Sequence, residues 1–339
     1  MKNFPEGHPT VKLGRIGVVL VNLGTPDDLS PKSVRRYLKE FLSDRRVVEI
    51  PRLIWWPLLN GIILNTRPKK SAQAYAKVWM KDIDESPLRY YTRQQADKLT
   101  KAMPELDVTW AMRYGQPNIA DRLTELQAKG CDRIVVLPMY PQYSATTNAT
   151  VSDAVFDHLK TLRWQPTIRI AHPWYRSSHY IGAITTQLKA HLAQRKTVPQ
   201  KIMLSFHGLP ERFIESGDPY QCHCFVTGRL IAEAIGWSAE DVLVTFQSRF
   251  GKAKWIEPYT NATLTTLPEK GVKDILVLTP GFVVDCLETL EEIAMEGKEV
   301  FEAAGGEQYD VLPCLNDSDE AMEMIRELVQ QELQGWIEK

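Results

Sequence analysis

One histidine and a short acidic series carry the chemistry that this sequence offers. His207 closes the apolar run Ile202 to Phe206 and opens the turn His207-Gly208-Leu209-Pro210. An apolar run without an alternating polar face suits a strand covered on both sides in a parallel sheet. Ligands gather at the carboxyl ends of such strands, so His207 stands where chemistry is expected. A second run, Ile275 to Leu278, leads into Thr279-Pro280-Gly281-Phe282-Val283-Val284-Asp285-Cys286-Leu287-Glu288. Parallel strands of one sheet share a carboxyl edge, which makes Asp285 and Glu288 candidate partners of His207. An imidazole facing carboxylates suits proton abstraction or a divalent metal, with His207 and either Asp285 or Glu288 as candidate ligands. Glu288, Glu292 and Glu296 recur at i, i+4 and i+8 and form one acidic stripe on a helix. The plain alternative for the stripe is a solvated face, a description that Glu291 and Glu299 fit readily. Cys222-His223-Cys224 lacks a second ligand pair at zinc spacing and reads as surface residues on a helix-start loop.

These groups need a scaffold, and the composition provides for one. The chain has 339 residues, 44% of them hydrophobic, which is enough for a large core and about two domains. Lys and Arg number 41 against 42 Asp and Glu, a net charge of −1 that speaks against a nucleic-acid binder. Five cysteines with no CxxC pair suit a reducing compartment. The opening MKNFPEGHPTVKLGRIG has no apolar core of a signal peptide, and no stretch reaches the ~18 apolar residues of a spanning helix. A cytoplasmic location is expected. No HExxH, phosphate loop, GxSxG or GxGxxG is present, which lowers protease, NTPase, hydrolase and dinucleotide-oxidoreductase readings.

The second half of the chain repeats the first. A strand expected at Ile16 to Leu23 runs into Leu23-Gly24-Thr25-Pro26, as Ile202 to Phe206 runs into His207-Gly208-Leu209-Pro210. Arg113-Tyr114-Gly115 is echoed by Arg249-Phe250-Gly251, and Lys129-Gly130 before Ile134 to Leu137 by Lys270-Gly271 before Ile275 to Leu278. Three anchors in the same order predict an α/β protein of two similar Rossmann-like domains, each a doubly wound parallel sheet, with the active-site cleft between them. The expected division is 1–172, 173–315 and a C-terminal helix in 316–339 that packs back on the body. Where the first copy has Leu23 the second has His207, and this asymmetry marks His207 as chemical rather than structural. Residues 51–64 are apolar and interrupted by Pro57 and Gly61, so a long buried helix is not expected there. Arg45, Arg46, Arg52, Arg67, Lys69 and Lys70 flank them.

LSFHGLPERFIESGDPYQ, FQSRFGKAKWIEPYT and GFVVDCLETLEEI, with VVLVNLGTP, MRYGQP and LPMYPQYSATT in the first half, closely resemble the ferrochelatase family. The resemblance runs from about Ile16 to Asn316. It implies the type II chelatase fold and insertion of Fe²⁺ into protoporphyrin IX with release of two protons, the step that ends haem synthesis. Carried over residue by residue, His207 matches the family's histidine and Glu288 its catalytic glutamate, with Asp285 and Phe282 beside it. Arg113, Tyr114, Tyr140 and Trp255 match positions that line or support the porphyrin pocket. Leu23 matches a position that touches the macrocycle and cannot ligate metal. Residues 51–64 match a lip over the pocket mouth, where an apolar surface flanked by cations suits peripheral membrane contact. Glu292 and Glu296 would extend a proton or metal path outward. The targeting segment and C-terminal cysteine extension of mitochondrial forms have no counterpart here. Cys131, Cys224 and Cys314 fit no cluster pattern, so no cofactor beyond the substrate Fe²⁺ is expected, and no [2Fe–2S] centre. Alternatives are a chelatase for coproporphyrin or Co²⁺ and, in another class, a haem-binding carrier.

Overall fold

The computed structural model describes residues 7–8 and 11–337. Residues 1–6 and 9–10 of the N-terminal stretch, and 338–339 of the C-terminal segment, lie outside them. The strands are β1 (Arg15–Gly24), β2 (Asp107–Tyr114), β3 (Cys131–Pro138), β4 (Thr167–Ile170), β5 (Lys201–His207), β6 (Val242–Gln247), β7 (Asp274–Leu278) and β8 (Gln308–Val311). They form two four-stranded parallel sheets, ordered β2-β1-β3-β4 and β6-β5-β7-β8. The two orders are the same, so the internal repeat is a repeat of topology. The central strands are buried on both faces, since Val18, Val19, Leu20 and Val21 in one sheet and Ile202, Met203 and Leu204 in the other are fully inaccessible.

Register corrects one anchor of the repeat. Gly24 pairs with Tyr114, and His207 pairs with Gln247. With Leu23 opposite His207, Arg113 therefore corresponds to Gln247 and Tyr114 to Ser248. The Arg249-Phe250-Gly251 triplet sits two residues further on, in a loop.

Helices cover both sheets and the seam between them. Helix α1 (Pro31–Ser43) starts where Ser30 accepts a hydrogen bond from the Ser33 N–H at 3.2 Å, a cap that contributes about 1 kcal/mol. Helices α2 (Arg52–Leu58) and α3 (Leu64–Val78) are joined by a π-turn at Leu59–Ile63. The chain stays helical through Pro57 and Gly61, but with a π-turn between the two helices and with Leu53, Ile54, Trp56, Leu58 and Ile62 exposed, so it is not a long buried helix. Pro57, the sixth residue of α2, removes one helical hydrogen bond close to the junction, and the wider π-turn that follows takes up the misfit. The last helix, Asp319–Glu332, packs on α4 (Pro87–Ala102) and on the helix Ser178–Gln194. One apolar cluster joins Leu20 and Trp110 of the first half to Leu204, Leu276 and Ile325 of the second.

Candidate active site

His207 ends β5 half-buried, and its Nδ1 lies 2.7 Å from the Gly208 carbonyl oxygen. A carbonyl only accepts, so Nδ1 carries the proton and the Nε2 lone pair of the neutral ring is left free. The turn that permits this depends on Gly208. A Cβ there would sit 2.7 Å from the Gln247 carbonyl oxygen and 3.1 Å from the Trp255 ring. Its counterpart Gly24 has φ +120°, and a Cβ would fall 1.8 Å from the Tyr114 carbonyl oxygen.

Glu288–Gly297 is a π-helix rather than an α-helix. Long π-helices are rare, and π-turns concentrate at functional sites. Residues at i and i+4 still share one side, so Glu288, Glu292 and Glu296 form a row running from half-buried to exposed. Gln247 ties the row to His207. Ser205 donates to Gln247 Oε1 at 2.8 Å, which turns Gln247 Nε2 toward the Glu288 carbonyl oxygen at 3.0 Å and the Glu292 carboxylate at 3.4 Å. Ser248, at φ +66°, also donates to that carboxylate. Burial, and then the nearby Glu288 charge, push the Glu292 carboxyl above its ordinary pKa; Ser248, His207 and Gln247 pull it partly back. The Glu288 charge also reaches the first domain, where it adds to burial in raising the phenols of Tyr37 and Tyr75.

The facing wall is aromatic. Tyr37, Tyr75, Trp79 and Tyr114 form one buried cluster, and Leu23 of the first half and Leu287 of the second pack against it. Arg113 is bound to Asp44 at 2.5 Å and to the Thr150 carbonyl oxygen at 2.7 Å, while the Tyr114 hydroxyl donates to the same Asp44 at 2.9 Å. Buried Tyr140 and Trp255 have a hydroxyl and an indole N–H with no hydrogen-bond partner among the described residues. The Trp255 ring lies 6.5 Å from that of His207.

Some expectations are placed differently. Asp285 is buried, and its oxygens accept from Thr289 Oγ1 at 3.0 Å, the Cys314 N–H at 3.4 Å and Asn316 Nδ2 at 2.7 Å. No hydrogen bond brings it to His207; it braces the start of the π-segment. Phe282 lines a small hollow with Ile184, Gln187 and Leu312. Glu291, expected on a solvated face, is buried and paired with Lys77 at 2.6 Å. Cys222 and His223 lie within the helix Tyr220–Ile235, not on a loop before it, and Cys224 there is fully buried. His223 stacks on Tyr175 at 3.7 Å and accepts from the Tyr143 N–H, which occupies that ring structurally. Sequence reasoning missed Gln247, Tyr37, Tyr75 and Asp44. Gln247 could have been found from the repeat, once Arg113 is aligned with it.

The lip is amphipathic. Leu53 is 92% exposed and Ile54 64%, with Trp56, Leu58 and Ile62 also exposed, whereas Trp55, Leu59 and Leu64 are buried. Arg52 stacks over Trp56 at 4.9 Å. No helix among the described residues is long and apolar enough to cross a membrane.

Two parallel sheets of one topology, with a histidine at a central strand end and a carboxylate row beside it, define a chelatase-type architecture. The solved structure of SirB from Bacillus subtilis with Fe³⁺ superposes with a TM-score of 0.56 at 12% identity, over 94% of this chain and 95% of that one. CbiX, the terminal enzyme of sirohaem biosynthesis in denitrifying bacteria, gives 0.52 at 12% identity, over 93% and 98%. Those likenesses establish the fold. The ferrochelatase family model matches residues 15–333. Ferrochelatases of Allorhizobium ampelinum and Rhizobium meliloti are 51% and 52% identical, covering 99% and 97% of this chain and 99% and 98% of their own lengths. That of Rhodopseudomonas palustris is 52% identical over 95% of this chain and 94% of its own. The chain belongs to the ferrochelatase family and is a metal chelatase.

Proposed function

We propose that the protein inserts Fe²⁺ into protoporphyrin IX with His207 and Glu288 at the centre of the reaction. The observation that carries this reading is His207 beside the carboxylate row, its Nδ1 committed to the Gly208 carbonyl oxygen and its Nε2 without a hydrogen bond among the described residues. A free-base porphyrin holds two N–H protons that must leave before the metal enters the ring plane. Neutral His207 accepts a pyrrole proton, and the adjacent carboxylates favour the imidazolium that results. Glu292, whose carboxyl holds its proton above the usual carboxylate range, passes protons on toward Glu296 and solvent. The same row, made of hard oxygen ligands, also suits delivery of Fe²⁺. Leu23, Tyr140 and Trp255 grip the macrocycle, while Tyr114, Arg113 and Asp285 act as braces behind them. The reading includes no resident cofactor beyond the substrate Fe²⁺; Cys131 and Cys314 contact Asp107 and Thr279 in different sheets.

Location is cytoplasmic, with peripheral membrane contact through 51–64. The exposed Leu53, Ile54, Trp56 and Ile62 beside Arg52 and Arg67 support that contact.

The test is anaerobic Fe²⁺ insertion by purified protein, followed by the Soret shift, with protoporphyrin and coproporphyrin in parallel. Faster turnover of protoporphyrin supports the reading. Preference for coproporphyrin or Co²⁺ would reassign the substrate, and haem binding without insertion would make the protein a carrier.

A further inference from the structure

Glu291 is the anomalous carboxylate of the π-segment. Glu288 and Glu292 are half-buried and Glu296 is exposed, but Glu291 is buried and meets Lys77 of α3 at 2.6 Å. Among the described residues, no other Lys or Arg pairs with residues 288–297. The contact crosses from the first domain to the second. Helix α3 continues directly from the π-turn of the lip and also carries Tyr75, whose phenol senses Glu288. One rod therefore reaches the reaction centre at two adjacent points, Tyr75 and Lys77.

We propose that Lys77 and Glu291 are a positioning pair for metal insertion, an ion pair that clasps the lip-bearing rod to the π-segment and fixes where Glu288 and Glu292 stand relative to His207. Three carboxylates within five residues repel one another, and a buried carboxylate without its cation is strongly disfavoured. The clasp removes both problems and sets the height of the row against the facing wall. Catalysis is sensitive to such placement, since a misplacement of about 1 Å costs up to ~10²-fold in rate.

The pair rests on Glu288 acting in insertion, so Glu288→Gln is measured beside it. Lys77→Met is expected to lower kcat by about 10-fold or more, toward that limit, with the KM for porphyrin within about twofold, and to lower the melting temperature as well because buried Glu291 loses its cation. Lys77→Arg and the reversed pair Lys77→Glu with Glu291→Lys are expected to recover most of the rate. Recovery by the reversed pair separates a clasp from a general loss of structure. Wild-type kcat in Lys77→Met while Glu288→Gln is inactive overturns this proposal alone. Full activity of Glu288→Gln overturns the site reading instead. A folded reversed pair that stays as slow as Lys77→Met also overturns the clasp.

Discussion

The ends of β1 and β5 share a backbone plan and differ in what they present to the cleft. Each closes a buried strand with a glycine that only a missing Cβ allows, against Tyr114 in one case and Gln247 in the other. Beyond that glycine the copies part. Leu23 offers an alkyl surface beside Tyr37, Tyr75 and Tyr114, and His207 offers a free imidazole nitrogen. Their neighbours in register diverge likewise. Arg113 has its guanidinium tied to Asp44 and Thr150, so it stiffens a wall; Gln247 uses its amide to hold the π-segment against the histidine. One copy of the unit grips and the other reacts. Holding a flat macrocycle and deprotonating its centre require surfaces of opposite character, and two copies of one unit supply both.

Exchange of the two side chains is the strongest way to break this comparison. His207→Leu should lower insertion by ~10²–10⁴-fold, the range of a lost general base, while porphyrin still binds by fluorescence quenching. Adding Leu23→His should not restore turnover, because the first copy has no carboxylate row beside it. Recovery in the double variant would show that the walls are interchangeable.

Gln247→Leu sharpens the comparison from the register side. It removes the link from β6 to the π-segment and should lower kcat by about 10-fold with porphyrin affinity kept, by the same placement argument. An unchanged kcat would mean that the row holds itself.

Glu292→Gln addresses what the row carries. A proton route predicts a lower kcat with a steady KM for Fe²⁺, and a metal route predicts a raised KM. Glu299→Gln is the solvated control. Stability adds an independent check. Because burial and Glu288 raise the Glu292 carboxyl above 4.5, the folded state binds more protons than the unfolded one. Its contribution is fully present below that ordinary value and is lost as pH rises through the folded pKa. Glu292→Gln should therefore melt no lower than the parent at pH 7, and this relative advantage should shrink as pH falls toward 4.5. Parallel melting curves at both pH values would contradict the burial argument.

The smallest effect on turnover belongs to the lip. Leu53→Ser with Ile54→Ser should weaken sedimentation with anionic liposomes and leave the melting temperature alone. Trp55→Ser, next in the chain, should instead lower the melting temperature, because that ring is buried and donates to the Leu42 carbonyl oxygen at 2.7 Å. Equal lipid binding by both variants and the parent would remove the membrane contact.

Much of this arrangement can be read in the sequence, for identifiable reasons. Apolar runs without alternation mark β1, β3, β5 and β7, because a parallel sheet covered on both faces leaves no polar side. The Leu23/His207 contrast shows at once, since a repeat turns a single substitution into a signal. Asp285 was read as a partner of His207 because it shares a sheet edge; its direction is decided by Asn316 and Thr289, contacts that sequence order does not reveal. Tyr37 and Tyr75 are ordinary helix tyrosines until α1 and α3 bring them to Glu288. The continuous helix from α2 to α3 was hidden because Pro57 and Gly61 are normally breakers, and a π-turn is a way around them that local propensity does not encode.

The ten-residue π-helix has a consequence that is one of spelling rather than of chemistry. A π-turn closes on the fifth residue and an α-turn on the fourth, so each π-turn amounts to an α-turn with one letter inserted. Deleting a single residue, such as Ala294, would let that part of the segment close as an α-helix without touching any carboxylate. Glu292 and Glu296 would then stand three residues apart in an α-turn, still on one side of the helix. The extra letter therefore shapes the backbone of the segment, its wider turn and its hydrogen-bond pattern, rather than the line on which the carboxylates stand.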